Sequence, residues 1–439
     1  MSISALALAA TLATLTGANA ADLGVGGNCC ADLEERIAEL EATTARKGNR
    51  KVSLTVTGWV SQQLMIWDDG VERNAYISDI GSTLNSHVNF QGSAQISSGV
   101  SAGYVMQIEG IGNENLGLSQ STSNTGKKVD VIQSFWFVKS DTLGKISLGL
   151  QSSAADNAAL LPDGSGSLAF ANYIMYDING FGVRFHKQLI PISATANLNW
   201  GSLATCQGFF GGAGGLGLGA DCDGVPNNNI RYDTPTFGGF SGSASWGEDD
   251  VWALSGRYAA DYNGIKVSAA IGYFDTNDSH ADLDARARGG KRASAVQVGG
   301  YIQHVPTGLF VYGAYAKDYN DRTGKLNAFG EQQKNADNWY LKAGIRQKWN
   351  HLGHSVVYGE YGENEDKMSN LLWVNGVLSS NLTQWGLGFV QEIDAAAMSI
   401  FANYRHYSAE GTIDSRVSNL GKVTLDDAEL FKVGALINF

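Results

Sequence analysis

Proline is nearly absent, with five in 439 residues. Pro cannot donate to a strand ladder and it breaks helices, so its scarcity leaves long regular elements intact. Charge is scarce too, at 17%, against about 25% in an ordinary soluble domain. A chain poor in both is not a disordered one. Beyond the N-terminus no apolar run reaches about 18 residues, which excludes a helical membrane span there. Basic residues are outnumbered, 31 against 43, for a net charge of −12, and this argues against nucleic acid as a partner. There are seven His, and no G-x-S-x-G, H-E-x-x-H or P-loop is present, so no enzyme activity and no cofactor are expected. Cysteine is limited to four. Cys206 and Cys222 bracket a Gly-rich stretch and are expected to close a loop disulfide, as befits an exported protein. Cys29 and Cys30 are adjacent, and they bond between chains or stay free. The spacings match no zinc pattern, so no metal is expected.

The N-terminus reads as an export signal over 1–20. Ala5 to Leu15 is apolar and Ala18-Asn19-Ala20 is an A-x-A cleavage site, although no Lys or Arg precedes the apolar stretch. The exported chain is expected to begin Ala21-Asp22. Residues 21–50 read as a periplasmic linker with one helix, "CCADLEERIAELEATTARKG". Cys30, Leu33, Ile37, Leu40 and Thr44 keep a 3-4-3-4 rhythm, the seam of a coiled coil. Two readings stand: parallel self-association, or packing on the chain's own body. The first is preferred, because Arg36 and Glu41 are complementary at flanking positions and Cys30 lies on the seam.

From residue 51 to 439 the period changes to two. "VSLTVTGWVSQQLMIW", "HVNFQGSAQI" and "MSIFANYRHY" alternate apolar with polar residues, as strands with one apolar and one polar face do. Tight turns at "SSGV", "DTLG", "TPTFGGF", "DYNG", "VPTG", "NHLG" and "DAAA" join pairs of strands, and longer polar stretches follow alternate strands. A soluble β-sandwich also alternates, but lacks this asymmetry of turns and loops and the aromatic run ends. The pattern predicts an all-β fold, an antiparallel transmembrane β-barrel. In lipid every backbone N–H and C=O must be paired, and closing the sheet pairs them without an edge. Seven turns with a strand at each terminus give 16 strands and leave 153–227 as one long third loop. A further hairpin at "DING" would give 18; 16 is preferred. The final "LFKVGALINF" reads as the closing strand.

"CADLEERIAELEATTARKGNRKVSLTVTGWV", "LMIWDDG", "NNNIRYDTPTFGGFSGSASWGEDD" and the terminal Phe439 together resemble the alphaproteobacterial outer-membrane porin family. The resemblance covers essentially the whole exported chain. It implies a 16-stranded barrel, a homotrimer, passive diffusion of small hydrophilic solutes, and a third loop folded inward to narrow the pore. Phe439 is similar to the C-terminal signal read by the outer-membrane assembly machinery, and Ala21-Asp22 to starts through which some such proteins are linked to peptidoglycan.

By strand parity Arg231, Arg257, Lys266, Lys342, Arg346, Arg405 and Lys432 point inward. The third loop carries Asp156, Asp163 and Asp177, with Asp221 and Asp223 near its end; Arg184 and Lys187 oppose that sign. Basic and acidic walls facing each other are expected to set a transverse field across the constriction. The alternative is ordinary lumen charge, which any water-filled barrel tolerates. "GAGGLG", Gly212 to Gly217, matches a dinucleotide fingerprint without its βαβ context and reads as flexible loop. Asp275 to Arg286 lacks the Gly and Glu of a calcium loop. Solvated loop charge is the preferred reading of the acidic outer loops, and divalent bridging to lipopolysaccharide the other. The expected function is an outer-membrane diffusion channel. A solute-specific channel and an envelope tether are the rivals.

Overall fold

The computed structural model describes residues 52–80, 85–174, 177–191, 197–206, 222, 224, 226–247, 250–276, 293–319, 326–368 and 370–439. The signal, the predicted helix with its seam residues, Ala21, Cys29 and Cys30, the GAGGLG stretch, Asp221, Asp223 and most of the calcium-like loop lie outside them.

Period two becomes strand everywhere it was read. The segments are β1 (Thr55–Asp68), β2 (Arg73–Ser78), β3 (His87–Ser97), β4 (Val100–Ile111), β5 (Lys128–Ser140) and β6 (Gly144–Gln151). A small outlying pair, β7 (Arg184–Phe185) and β8 (Gln188–Leu189), sits in the long third loop. Then come β9 (Asn227–Asp233), β10 (Phe240–Gly247), β11 (Val251–Tyr262), β12 (Ile265–Thr276), β13 (Ala293–His304) and β14 (Leu309–Tyr319). The series ends with β15 (Ala336–Gln347), β16 (Ser355–Glu365), β17 (Val377–Ile393), β18 (Met398–Ile413), β19 (Lys422–Thr424) and β20 (Ala428–Asn438).

Eighteen of these segments form one antiparallel sheet, closed on itself as 16 wall strands. The two counts agree because two wall strands are each broken in two. β1 pairs Gln63–Asp68 with β2 and Thr55–Trp59 with β3, so its Val60–Gln62 face the break at 79–86. β18 likewise pairs with β19 above and β20 below. All seven predicted turns join neighbouring strands, and the "DING" hairpin is no part of the wall. β20 meets β1 from Trp59↔Asn438 to Asp68↔Glu429, and Phe439 and Gly58 exchange backbone hydrogen bonds of 3.0 and 3.1 Å. Among the described residues the closed sheet has no edge strand to pair with another chain.

Alternation assigns the faces. On β1, Val56, Val60 and Leu64 are exposed while Trp59, Ser61, Gln63, Met65 and Trp67 are buried. On β20, Phe431, Val433, Ile437 and Phe439 point out, and Leu430, Lys432 and Leu436 point in. Leu436, which breaks the alternation of the last strand, packs in the interior cluster with Trp59 and Phe401. Such a belt of outward apolar side chains suits lipid. Among the described residues no helix is long and apolar enough to cross a membrane, which has no bearing on a barrel.

Candidate functional site: the third loop against the inner wall

The loop between β6 and β9 spans 152–226, and of its described residues 152–174 and 177–184 most are buried inside the barrel. Small residues let it approach the wall. Ala154, Ala155, Ala158 and Ala159 are fully buried. Opposite the last three stand inward glycines: a Cβ on Gly299 would come 2.0 Å from the Ala159 carbonyl oxygen, and one on Gly272 2.8 Å from the Ala158 methyl. Gln297 on β13 then reads the loop backbone. Its Nε2 donates to the Ala155 carbonyl (2.8 Å), and its Oε1 accepts from the Ala159 N–H (3.3 Å) and the Tyr173 hydroxyl (2.9 Å). The Tyr312 hydroxyl donates to the Ala159 carbonyl at 2.7 Å.

Ion pairs fasten the rest. Lys342 on β15 lies 2.6 Å from Asp163, both side chains fully buried. Its Nζ also donates to Ser167 Oγ and the Ala171 carbonyl, each at 2.8 Å, between the rings of Tyr312 and Tyr358. Arg405 on β18 donates to Glu360 at 2.6 and 2.9 Å and to Asp177 at 3.0 Å. Lys432 on β20 reaches the same Asp177 oxygen at 2.6 Å. Tyr340 donates a short hydrogen bond to Glu360. Phe170 stacks on Phe401, with centroids 4.2 Å apart. Removing charges from water is costly unless each is paired and hydrogen-bonded, and here each is.

The predicted set divides accordingly. Lys342, Arg405 and Lys432 join Asp163 and Asp177 directly; contact replaces the expected water-filled gap between opposed walls. Arg231 donates to the carbonyls of Ser152 (3.2 Å) and Ser153 (3.0 Å) and pairs with Asp233 (2.8 Å). It therefore fixes the start of the loop. Arg257 makes no ion pair among the described residues, and its buried Nε has no hydrogen-bond partner. Arg346 is bidentate on Glu392, beside Gly166 of the loop. Lys266 is exposed at the opposite end of β12, across from Asp261. Glu360, Gln297, Gly272 and Gly299 escaped sequence reasoning. All four sit on inward rows, where parity marks the basic residues as pore-facing but gives no sign of a fastening role for an acid, an amide or a glycine.

Towards the long-loop end the third loop is tied to its neighbours. Arg184 is buried, 2.7 Å from Asp69 and 2.8 Å from Glu72. Gln120 bridges Asp69 and the Gly182 carbonyl, at 2.9 and 2.8 Å. Burial pushes the Asp69 carboxyl up. The Glu72 N–H, the Gln120 amide and the Arg184 guanidinium more than offset this and hold it below the usual carboxylate range. Lys187, the other loop cation, donates its backbone N–H to Asp426 at 2.6 Å. Trp200 and Leu203 join Met368, Trp373 and Tyr407 in a second apolar cluster.

Cys206 and Cys222 are bonded, with Cα atoms 5.2 Å apart. Their sulfurs and Asp318 converge within 4.8 Å, a metal-like grouping by distance. The chemistry does not fit a metal. Disulfide sulfurs are not thiolates, and the buried Lys367 ammonium already sits 2.7 Å from Asp318.

The family model for Gram-negative porins matches residues 5–412. The chain belongs to the Gram-negative porin family. As a porin it forms a water-filled channel for passive diffusion across the outer membrane. Among solved structures, outer-membrane expressed OmpT of Vibrio cholerae is 11% identical, with TM-score 0.50 over 90% of this chain and 99% of that one. Salmonella typhi OmpF, in complex with daunomycin, is 13% identical, TM-score 0.49, over 90% and 99%. The outer membrane channel DcaP of Acinetobacter baumannii is 10% identical, TM-score 0.48, over 90% and 99%. At 11% identity the likeness to OmpT speaks to the fold alone. A comparison with curated proteins gives no match.

Proposed function

We propose that this porin is a general channel for small hydrophilic solutes, that its third loop sets the narrowest passage, and that it works as a homotrimer of the alphaproteobacterial type. The observation that carries the reading is the seating of 152–174 and 177–181 inside the barrel by Lys342–Asp163 and Arg405–Asp177–Lys432. A loop fixed by buried ion pairs takes a constant share of the lumen, so the remaining bore has a constant cutoff. The paired pore-facing cations and loop carboxylates named above act here as fasteners. The helix of 29–45 belongs on the periplasmic side, where it would hold three chains together. It is too short to do so alone, and side-by-side apolar barrel walls would raise its local concentration. The test is solute flux into liposomes with neutral sugars of rising size, alongside planar-bilayer conductance. The reading expects a sharp size limit that rises when the loop is unfastened. Flux that saturates with one solute would favour a specific channel instead, and silence would refute a channel.

A further inference from the structure

Five inward cations around the third loop have a carboxylate in contact. Arg231 has Asp233, Lys342 has Asp163, Arg346 has Glu392, Arg405 has Glu360 and Lys432 has Asp177. Arg257, on the inward row of β11 with the buried Ala253, is not one of them. Its Nε is buried without a hydrogen-bond partner, and it forms no ion pair among the described residues. The residue as a whole is half-buried, so the guanidinium keeps contact with the lumen. A buried polar atom without a partner is costly, and more so on a charged group.

The surroundings explain why no carboxylate of the chain closes on it. Its charged neighbours are Arg231, Asp233 and Asp156. Asp233 is already engaged, by Arg231 at 2.8 Å, Lys145 at 3.0 Å and the Ser243 hydroxyl at 2.6 Å. Asp156 accepts from the Asn157 amide at 2.6 Å. Arg231, Lys145 and Arg257 thus stand against two carboxylates, which leaves one positive charge over. A second observation is independent of that charge. Ser255 Oγ, two residues along the same inward row, is also buried without a hydrogen-bond partner. The facing residues on β10 are small, Ser241 opposite Arg257 and Ser243 opposite Ser255. The third loop is held further along β10, where the Ala154 N–H donates to Ser245 Oγ at 2.9 Å. A guanidinium fork and a spare hydroxyl form a donor set for an oxyanion, because the fork matches the two oxygens of a carboxylate. One surplus positive charge suits one negative charge. A doubly charged phosphate would bring its second charge against Asp233 and Asp156.

We propose that Arg257 and Ser255 form a weak seat for the carboxylate of a small hydrophilic organic acid on its way through the channel. This rests on the channel reading above. The experiment is block of the potassium chloride current through the purified protein in planar bilayers. The probes are gluconate, glucose as a neutral molecule of like size, and inorganic phosphate as the other oxyanion. In the wild type, gluconate should reduce the current in the millimolar range, phosphate only at higher concentration, and glucose not at all. Arg257→Gln should raise the half-blocking concentration of gluconate about tenfold, the loss of one charge-assisted contact, and Ser255→Ala about threefold. Arg257→Lys keeps the charge but not the fork. It should weaken the gluconate block while leaving the potassium-to-chloride permeability ratio near that of the wild type, a split that a merely general charge would not give. It also serves if Arg257→Gln fails to assemble. Gluconate that blocks no better than glucose, a block that ignores both Arg257 variants, or phosphate that blocks more tightly than gluconate would overturn this inference and leave the channel reading intact. A silent protein would overturn both.

Discussion

Asp163→Asn isolates the force that holds the third loop. Lys342 and Asp163 are both fully buried, 2.6 Å apart. Removing one partner of a buried pair typically costs about 3–5 kcal/mol, because the other charge is stranded. Lys342 keeps Ser167 Oγ and the Ala171 carbonyl as acceptors, so the low end applies, about 3 kcal/mol. That is roughly a hundredfold shift away from the docked loop. The strand ladders are untouched, so the heat resistance of the barrel in SDS gels should not change. Single-channel recordings should show larger or noisier open levels, and the size limit for neutral sugars should rise. Lys342→Met with Asp163→Leu replaces the pair by apolar groups of similar shape and should restore quiet openings. If Asp163→Asn conducts with wild-type amplitude and noise, the ion pair does not hold the loop and the reasoning is wrong.

Gly299→Val should displace the loop by steric force, since even a Cβ there meets the Ala159 carbonyl oxygen at 2.0 Å; the readout is the same sugar cutoff, and Gly300→Val, where nothing lies within 4 Å, is the control. The contact of Arg184 with Asp69 and Glu72 should weaken in acid. The folded Asp69 carboxyl is held below its ordinary value, so its stabilisation is present above about pH 4 and is lost as pH falls below that. Limited proteolysis of the outer loops should speed up below pH 4, and Arg184→Met should show the same rate at neutral pH. Cys206 and Cys222 are buried and lie 16 residues apart, a closure worth about 3 kcal/mol in the chain-entropy account. Mild reductant should leave the native bond intact, and Cys206→Ser should lower the denaturation midpoint. Deleting 29–45 should lower the heat resistance of the trimer, and an unchanged midpoint would remove the helix from that role.

Strand count, turn positions and face assignment were legible because a barrel in lipid leaves no freedom about them. Parity sets Lys342, Arg405 and Lys432 on inward rows, and their side chains are buried. It said nothing of how far the loop advances. That distance depends on what fits against the wall, namely Ala155, Ala158 and Ala159 against Gly272 and Gly299, and on Glu360, an inward acid. The expected field across a gap therefore became a set of contacts. The breaks between β2 and β3 and between β19 and β20 left no mark in the alternation, because each half keeps its own period.

The junction of β1 with β20 also carries a kinetic consequence. Trp59 faces Asn438 across the ladder, so the pairing that completes the cylinder joins the two most distant parts of the strand-forming chain. Contacts this remote in sequence form slowly, because the intervening chain must first be ordered. Until then β1 and β20 both expose unpaired backbone, the surface on which other chains add. The time between synthesis and closure, rather than the finished cylinder, is when this protein is most open to aggregation. A substitution in Gly58 or Phe439 would lengthen that interval before it changed anything in the channel.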